Sequence, residues 1–201
     1  MTDTPPTPDG NHDVNIDSNM DMIIPGLYLG NAFAQRSESR LRSFGITHIL
    51  SITPYSFPLD GLLVRKSIPV DDYPDEDLMA HFSDTNKYIE NAITAGGVLV
   101  HCQQGVSRSA TFVAAYLMKT WSFSHQEAIT FVKGRRTIAK PNAGFVRQLE
   151  IYGLSGWDLG SEEGQRLYGE WRKGRDAAHA AGLKGLSVAY QEVLASKSRK
   201  S

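Results

Sequence analysis

The sequence predicts an α/β fold, a central and mostly parallel β-sheet flanked by helices. Three observations predict it. Short β-branched or apolar runs alternate along the chain with segments of helical periodicity. Val98-Leu-Val100 is apolar at every position, the pattern of a strand buried on both faces. Gly and Pro punctuate nearly every junction between the two kinds of segment.

The elements follow in order. Leu27-Tyr28-Leu29 is a short strand entered through Pro25-Gly26 and closed by Gly30. Asn31 is placed to cap a helix running toward Ser43, with Gly45 as its stop. Ile46–Thr53 is rich in β-branched residues and reads as a buried strand ended by Pro54 and Pro58. Leu62–Ile68 is a further strand, followed by the acidic loop Asp71-Asp-Tyr-Pro-Asp-Glu-Asp77. Phe82, Ile89 and Ile93 share one face of a helix from Leu78 to Ala95, which Gly96-Gly97 terminates. After the strand Val98–Val100, a helix from about Ser107 to Thr120 sets Ala110, Val113, Ala114 and Leu117 at i, i+3, i+4 and i+7. Ser124 and Glu127 form a capping box for a helix to about Arg135. Another helix starts near Asn142, and a weak last one is expected from about Ser161.

Composition narrows the function. The 201 residues are 41% hydrophobic and 21% charged, with a net charge of -1. That is ordinary globular composition, without the basic excess of a nucleic-acid binder. Apolar runs are too short to cross a bilayer, and the N-terminus lacks the pattern of a secretory signal. A soluble intracellular protein, cytoplasmic or nuclear, is expected. Cys102 is the one cysteine, which excludes an intramolecular disulfide and a cysteine-based zinc site. Residues 1–22, acidic and rich in Pro, read as a disordered tail. Residues 23–155 read as the domain, and 156–201 as a helical or partly disordered extension whose basic residues form a solvated face.

The chemistry concentrates in Val100-His101-Cys102-Gln103-Gln104-Gly105-Val106-Ser107-Arg108-Ser109-Ala110. This run lies between a buried strand and an amphipathic helix, where backbone N–H groups and the helix dipole converge on an anion. Gly105 gives the turn its freedom. Cys102 sits in the same positive field, which favours the nucleophilic thiolate. Arg108 is spaced to fork onto two phosphate oxygens. A buried structural thiol is the bland alternative, but Gly, Arg and helix start occur together at the required spacing. No Gly-Lys-Ser/Thr follows the glycine, so this is not a nucleotide-binding loop of the Walker type.

His101-Cys102-x5-Arg108-Ser109 resembles the signature of cysteine-dependent protein phosphatases, specifically the dual-specificity class. Ile68-Pro-Val-Asp-Asp72, with Asp77-Leu78 and Phe82, is similar to that family's general-acid segment. Arg135-Arg136 and Pro141-Asn142-x-Gly144-Phe145-x-x-Gln148-Leu149 resemble its late signature, and Ile24–Gly30 its opening strand. The resemblance runs from about Ile23 to Tyr152. It implies the cysteine-phosphatase fold and a small atypical member of the family.

It further implies that Cys102 is the nucleophile and that Arg108 binds the phosphoryl oxygens. The amides of Gln103, Gln104, Gly105, Val106, Ser107 and Arg108 share that binding. Ser109 assists departure of the thiolate, Asp72 serves as general acid and base, and His101 and Asn142 support the loop from behind. No metal or cofactor is implied. Asp71 is the competing acid, with geometry to decide. His48, His81, His125 and His179 read as structural or surface residues.

Gln103 and Gln104 are neutral where relatives with highly charged substrates carry cations, so the expected substrate is a phosphorylated protein. The alternatives are a non-protein substrate, such as a phosphoinositide or phosphoglucan, and a phosphoprotein-binding scaffold without turnover. The acidic loop leads to an expected preference for basic residues flanking the phosphoresidue, opposed by Arg135, Arg136 and Lys140.

Overall fold

The structure, a computed structural model, describes residues 18–55 and 61–185. Most of the expected acidic tail, Pro58 and the end of the basic extension lie outside the described residues. Five strands form one sheet in the order β1-β2-β5-β3-β4. They are β1 (Met20–Ile24), β2 (Leu27–Gly30), β3 (His48–Ile52), β4 (Val64–Ile68) and β5 (Val98–His101). β1 is antiparallel to β2 and every other pairing is parallel.

β1 corrects the sequence reading. Met20–Met22, expected in the tail, pair with Gly30, Leu29 and Tyr28. The hairpin turns at Pro25-Gly26, where Gly26 has φ +81°, the left-handed region favoured at the second corner of a turn after proline.

β5 is the middle strand, with β2 on one side and β3 on the other. Its alternation serves two cores. Val98 and Val100 join Leu27, Leu29, Leu50 and Ile52 on one face. Leu99 joins Tyr28, Ile49, Leu41 and Ile46 on the other. Both faces are therefore dry, as the unbroken apolar run requires.

The main face carries α2 (Met79–Thr94), α3 (Arg108–Trp121), α4 (His125–Arg135) and α5 (Ala143–Leu154). Buried residues run from Arg108 through Met118, so α3 is surrounded on all sides. α4 carries the expected capping box: Ser124 Oγ accepts from the Glu127 amide, and Glu127 accepts from the Ser124 amide.

The helix expected from Asn31 to Ser43 is two pieces. Asn31 Oδ1 accepts from the amides of Phe33 and Ala34 and caps a short 3-10 turn at Ala34–Arg36. Ser37 is then extended (φ -116°, ψ 95°) and begins α1 (Glu38–Ser43). Its hydroxyl makes no cap bond to the backbone and lies 3.3 Å from that of Ser39. The last helix, α6 (Glu162–Ala180), is a full 19 residues rather than the weak segment expected. Its Trp171 is buried on the main core.

Phe112 on α3 is fully buried and meets Phe82 edge-on, with ring centroids 5.6 Å apart. Phe112→Ala removes that contact at the centre of the helical layer. The expected loss is about 3–5 kcal/mol, because a tightly packed core collapses little around a cavity. Equilibrium unfolding in urea measures it.

Candidate active site

The chain leaves the carboxyl end of the central strand β5 at Cys102 and re-enters helix at Arg108. This is the position at which α/β sheets present their ligands. What shapes the intervening loop is the fate of its carbonyls. The Cys102 carbonyl lies 3.2 Å from His101 Nδ1, and that of Gln103 accepts from the Ala32 amide at 3.2 Å. Gln104 and Gly105 carbonyls accept from the Arg136 guanidinium, at 3.3 and 2.8 Å. Val106 accepts from the Lys140 amide at 2.8 Å, and Ser107 from the Thr111 amide and hydroxyl, both at 2.9 Å. Every carbonyl from 102 to 107 is thus drawn outward. The N–H of each peptide unit points opposite to its carbonyl, so the amides of residues 103–108 turn inward, the arrangement of a nest.

Two positions make this possible. Gly105 has φ +68°, and a Cβ there would lie 2.5 Å from the Gly30 carbonyl oxygen. Only glycine fits. Arg136 is 2% exposed and reaches the loop because Asp21 on β1 meets its Nη1 at 2.6 Å. A buried guanidinium without a carboxylate partner would cost several kcal/mol. Sequence reading missed this pair, since Asp21 was counted with the tail.

Cys102 is buried at the base of the nest. Its Sγ accepts from the Gly105 amide and the Ser109 hydroxyl, both at 3.2 Å. Arg108 donates through Nη1 to the Val70 carbonyl at 3.0 Å, while its buried Nε makes no hydrogen bond among the described residues. That Nε lies 3.8 Å from Asp72 Oδ2. Asp72 is the carboxylate brought to the loop: its Oδ1 accepts from Ser107 Oγ at 2.6 Å and from Asn142 Nδ2 at 2.9 Å. Asp71 instead faces Glu76, whose carboxyl is held above its ordinary range by burial and by the Asp71 charge. Geometry therefore separates the two aspartates.

Asn142 differs from its expected place. It caps α5 through Oδ1 to the Phe145 amide and donates its backbone amide to Ser107 Oγ, but its side chain also reaches Asp72 directly. His101 does lie behind the loop, bonded to Ser51 Oγ at 2.8 Å on β3. Gln103 and Gln104 are exposed at the rim.

The acid loop 71–77 is pressed onto α5, where a Cβ on Gly144 would lie 1.8 Å from the Pro74 carbonyl oxygen. Gln148 on the same helix accepts from the Leu78 and Met79 amides and donates to the Glu76 carbonyl. Asp77 caps the start of α2 by accepting from the Ala80 amide at 3.2 Å.

The structure thus brings together a buried sulfur that accepts two hydrogen bonds, an arginine and a carboxylate at one loop. The family model for the dual specificity phosphatase catalytic domain matches residues 27–153. The chain belongs to that family. It is 42% identical over 135 residues to dual specificity protein phosphatase 22 of Xenopus tropicalis, covering 67% of this chain and 65% of that protein. It is 40% identical over 144 residues to human dual specificity protein phosphatase 13B, covering 67% of this chain and 72% of the relative. The aligned part thus spans slightly under two thirds of the frog relative's length.

Among solved structures, DUSP15 matches with a TM-score of 0.64 and 34% identity over 76% of this chain and 96% of that one. A human tyrosine phosphatase-like serine/threonine/tyrosine-interacting protein matches with a TM-score of 0.65 and 33% identity, over 71% of this chain and 100% of that one. Among the described residues, no helix is long and apolar enough to cross a membrane.

Burial lowers the His101 pKa to about 4, so the imidazole is neutral in the fold. In the unfolded chain it takes a proton near pH 6.5. The unfolded state then binds more protons between these values, and stability falls as pH drops from about 6.5 to about 4. The part owed to His101 is expected to be about 3 kcal/mol across that window. Comparing the pH dependence of unfolding free energy in wild type and His101→Gln isolates it.

Proposed function

We propose that this protein is a protein phosphatase that hydrolyses phosphotyrosine and phosphoserine or phosphothreonine through a phosphocysteine intermediate. The observation that carries the reading is the grouping of three reactive elements at one loop. Cys102 Sγ lies under two hydrogen-bond donors, the buried Arg108 Nε makes no hydrogen bond among the described residues and lies 3.8 Å from Asp72 Oδ2, and the Asp72 carboxylate is fixed over the same loop.

In the first step Cys102 Sγ attacks phosphorus, forming the S–P bond as the bond to the leaving oxygen breaks. The inward amides and Arg108 bind the three equatorial oxygens, whose charge is shared in the transition state. Asp72 gives its proton to the leaving oxygen. Its Oδ1 is committed to Ser107 and Asn142, which leaves Oδ2 as the oxygen that carries the proton. In the second step Asp72 takes a proton from water as the water oxygen attacks phosphorus. The S–P bond breaks, inorganic phosphate departs, and the Ser109 hydroxyl steadies the sulfur anion.

The neutral rim of Gln103 and Gln104 supports a phosphorylated protein over a polyanionic small molecule, which would gain from cations at those places. The expected preference for basic flanks weakens on the geometry. Asp75 and Asp77 are occupied by residues of α6, so Asp71 and Glu76 are the carboxylates left to meet a substrate.

Cys102→Ser is expected to abolish turnover of p-nitrophenyl phosphate while the fold persists, since serine offers no accessible anion at neutral pH. Asp72→Ala is expected to slow phenyl phosphate roughly 100-fold or more, the usual worth of a general acid, and p-nitrophenyl phosphate far less. Steady-state kinetics on both esters decides. Substantial activity in Cys102→Ser, or equal losses on the two esters in Asp72→Ala, would overturn the respective role.

A further inference from the structure

Helix α6 lies beyond residues 27–153, where the family model matches, yet it makes direct contact with the loop that carries Asp72. Two carboxylates of that loop are held by it. Asp75 is 3% exposed, and its Oδ2 accepts from His179 Nε2 and from the Gly185 amide at 2.8 Å. Asp77 Oδ2 accepts from the Tyr168 hydroxyl at 2.7 Å and from Arg175 Nη1 at 3.0 Å. Gly185 also lies against the ring of Tyr73.

These donors sit on a helix built at both ends. Ser161 Oγ caps the start by accepting from the Gly164 amide, and Glu162 and Glu163 occupy the first turn. At the other end the Leu183 amide donates to the Ala178 carbonyl and the Gly182 amide to that of His179, the bond pair of a Schellman turn. Gly182 supplies the left-handed corner with φ +76°, and this corner returns the chain so that Gly185 meets Asp75. Arg175 is oriented by Asp176 and lies over Trp171, with Cζ 5.1 Å from the ring centroid.

Asp75 faces inward because its partners are there. A buried carboxylate stripped of them favours solvent, and turning outward would carry Pro74 and Tyr73 with it, three residues from Asp72. We propose that α6 is a positioning element of the reaction, in which His179, Arg175, Tyr168 and the Gly185 amide fix the acid loop through Asp75 and Asp77. This rests on the reading that the loop supplies the proton to the leaving oxygen. A purely structural role for α6 would change stability, whereas a positioning role changes the proton-transfer step selectively.

The experiment uses the full chain and the variants His179→Ala, His179→Gln and Tyr168→Phe/Arg175→Ala, each checked for folding by circular dichroism at the assay temperature. kcat and KM are measured on phenyl phosphate, which needs the acid, and on p-nitrophenyl phosphate, which needs it little. The expected result is a fall of about tenfold in kcat on phenyl phosphate with KM little changed and p-nitrophenyl phosphate nearly unaffected. His179→Gln, which keeps a donor at the Nε2 position, is expected to recover most of the loss. Equal losses on both esters, or unchanged kinetics in folded variants, would overturn the proposal.

Asp72→Ala run in parallel separates the two readings. Selective loss in the α6 variants without selective loss in Asp72→Ala would retain α6 as the positioning element and move the acid to another carboxylate of the loop.

Discussion

The site depends on one constraint, that the six successive carbonyls of residues 102–107 must point outward from the loop. Outward carbonyls need donors, and these come from five separate places: His101, Ala32, Arg136, Lys140 and Thr111. Arg136 satisfies two of them from a position that is almost wholly buried. Its charge is tolerable only because Asp21 is there, so a residue of the edge strand β1 indirectly sets the shape of a loop at the sheet's centre. The same constraint explains Gly105, whose left-handed backbone and contact with Gly30 leave no room for a side chain.

Given a nest of that shape, the remaining chemistry is assembled from three elements. β5 delivers the sulfur, the first turn of α3 delivers Arg108 and Ser109, and the segment after β4 delivers Asp72. Ser107 and Asn142 tie the last of these to the first two, since both reach Asp72 Oδ1 while Ser107 accepts the Asn142 amide. Asp72, loop and α5 therefore form one connected network rather than independent contacts. Changes at any member are expected to be non-additive with changes at the others.

Local signals made much of this legible in the sequence. The all-apolar Val98–Val100 marked a doubly buried strand, Ser124 and Glu127 marked a helix start, and the Cys102 to Ser109 run marked the loop. What escaped was of two kinds. Charge read in isolation misled: Asp21 looked like part of an acidic tail because its partner, Arg136, lies 115 residues away. Propensity misled in the same way at α6, where Gly164, Gly169 and Gly174 argue against a helix that both caps and the burial of Trp171 nevertheless secure. Asn142 was recognised, but its contact with Asp72 spans 70 residues and leaves no trace in local spacing.

The acidic loop shows how far net charge can mislead about partners. Five carboxylates between residues 71 and 77 look from sequence like an electrostatic surface for basic substrates. In the fold, Asp72 is bonded to Ser107 and Asn142, Asp75 to His179 and Gly185, and Asp77 to Tyr168, Arg175 and the start of α2. Charges so engaged project little field outward, and the Arg175 guanidinium offsets part of what remains. The loop's acidity is thus spent internally, on holding one carboxylate of the five at the mouth of the nest. In the proposed reading its flanking charges act on geometry first, which leaves Asp71 and Glu76 as the carboxylates to meet a substrate.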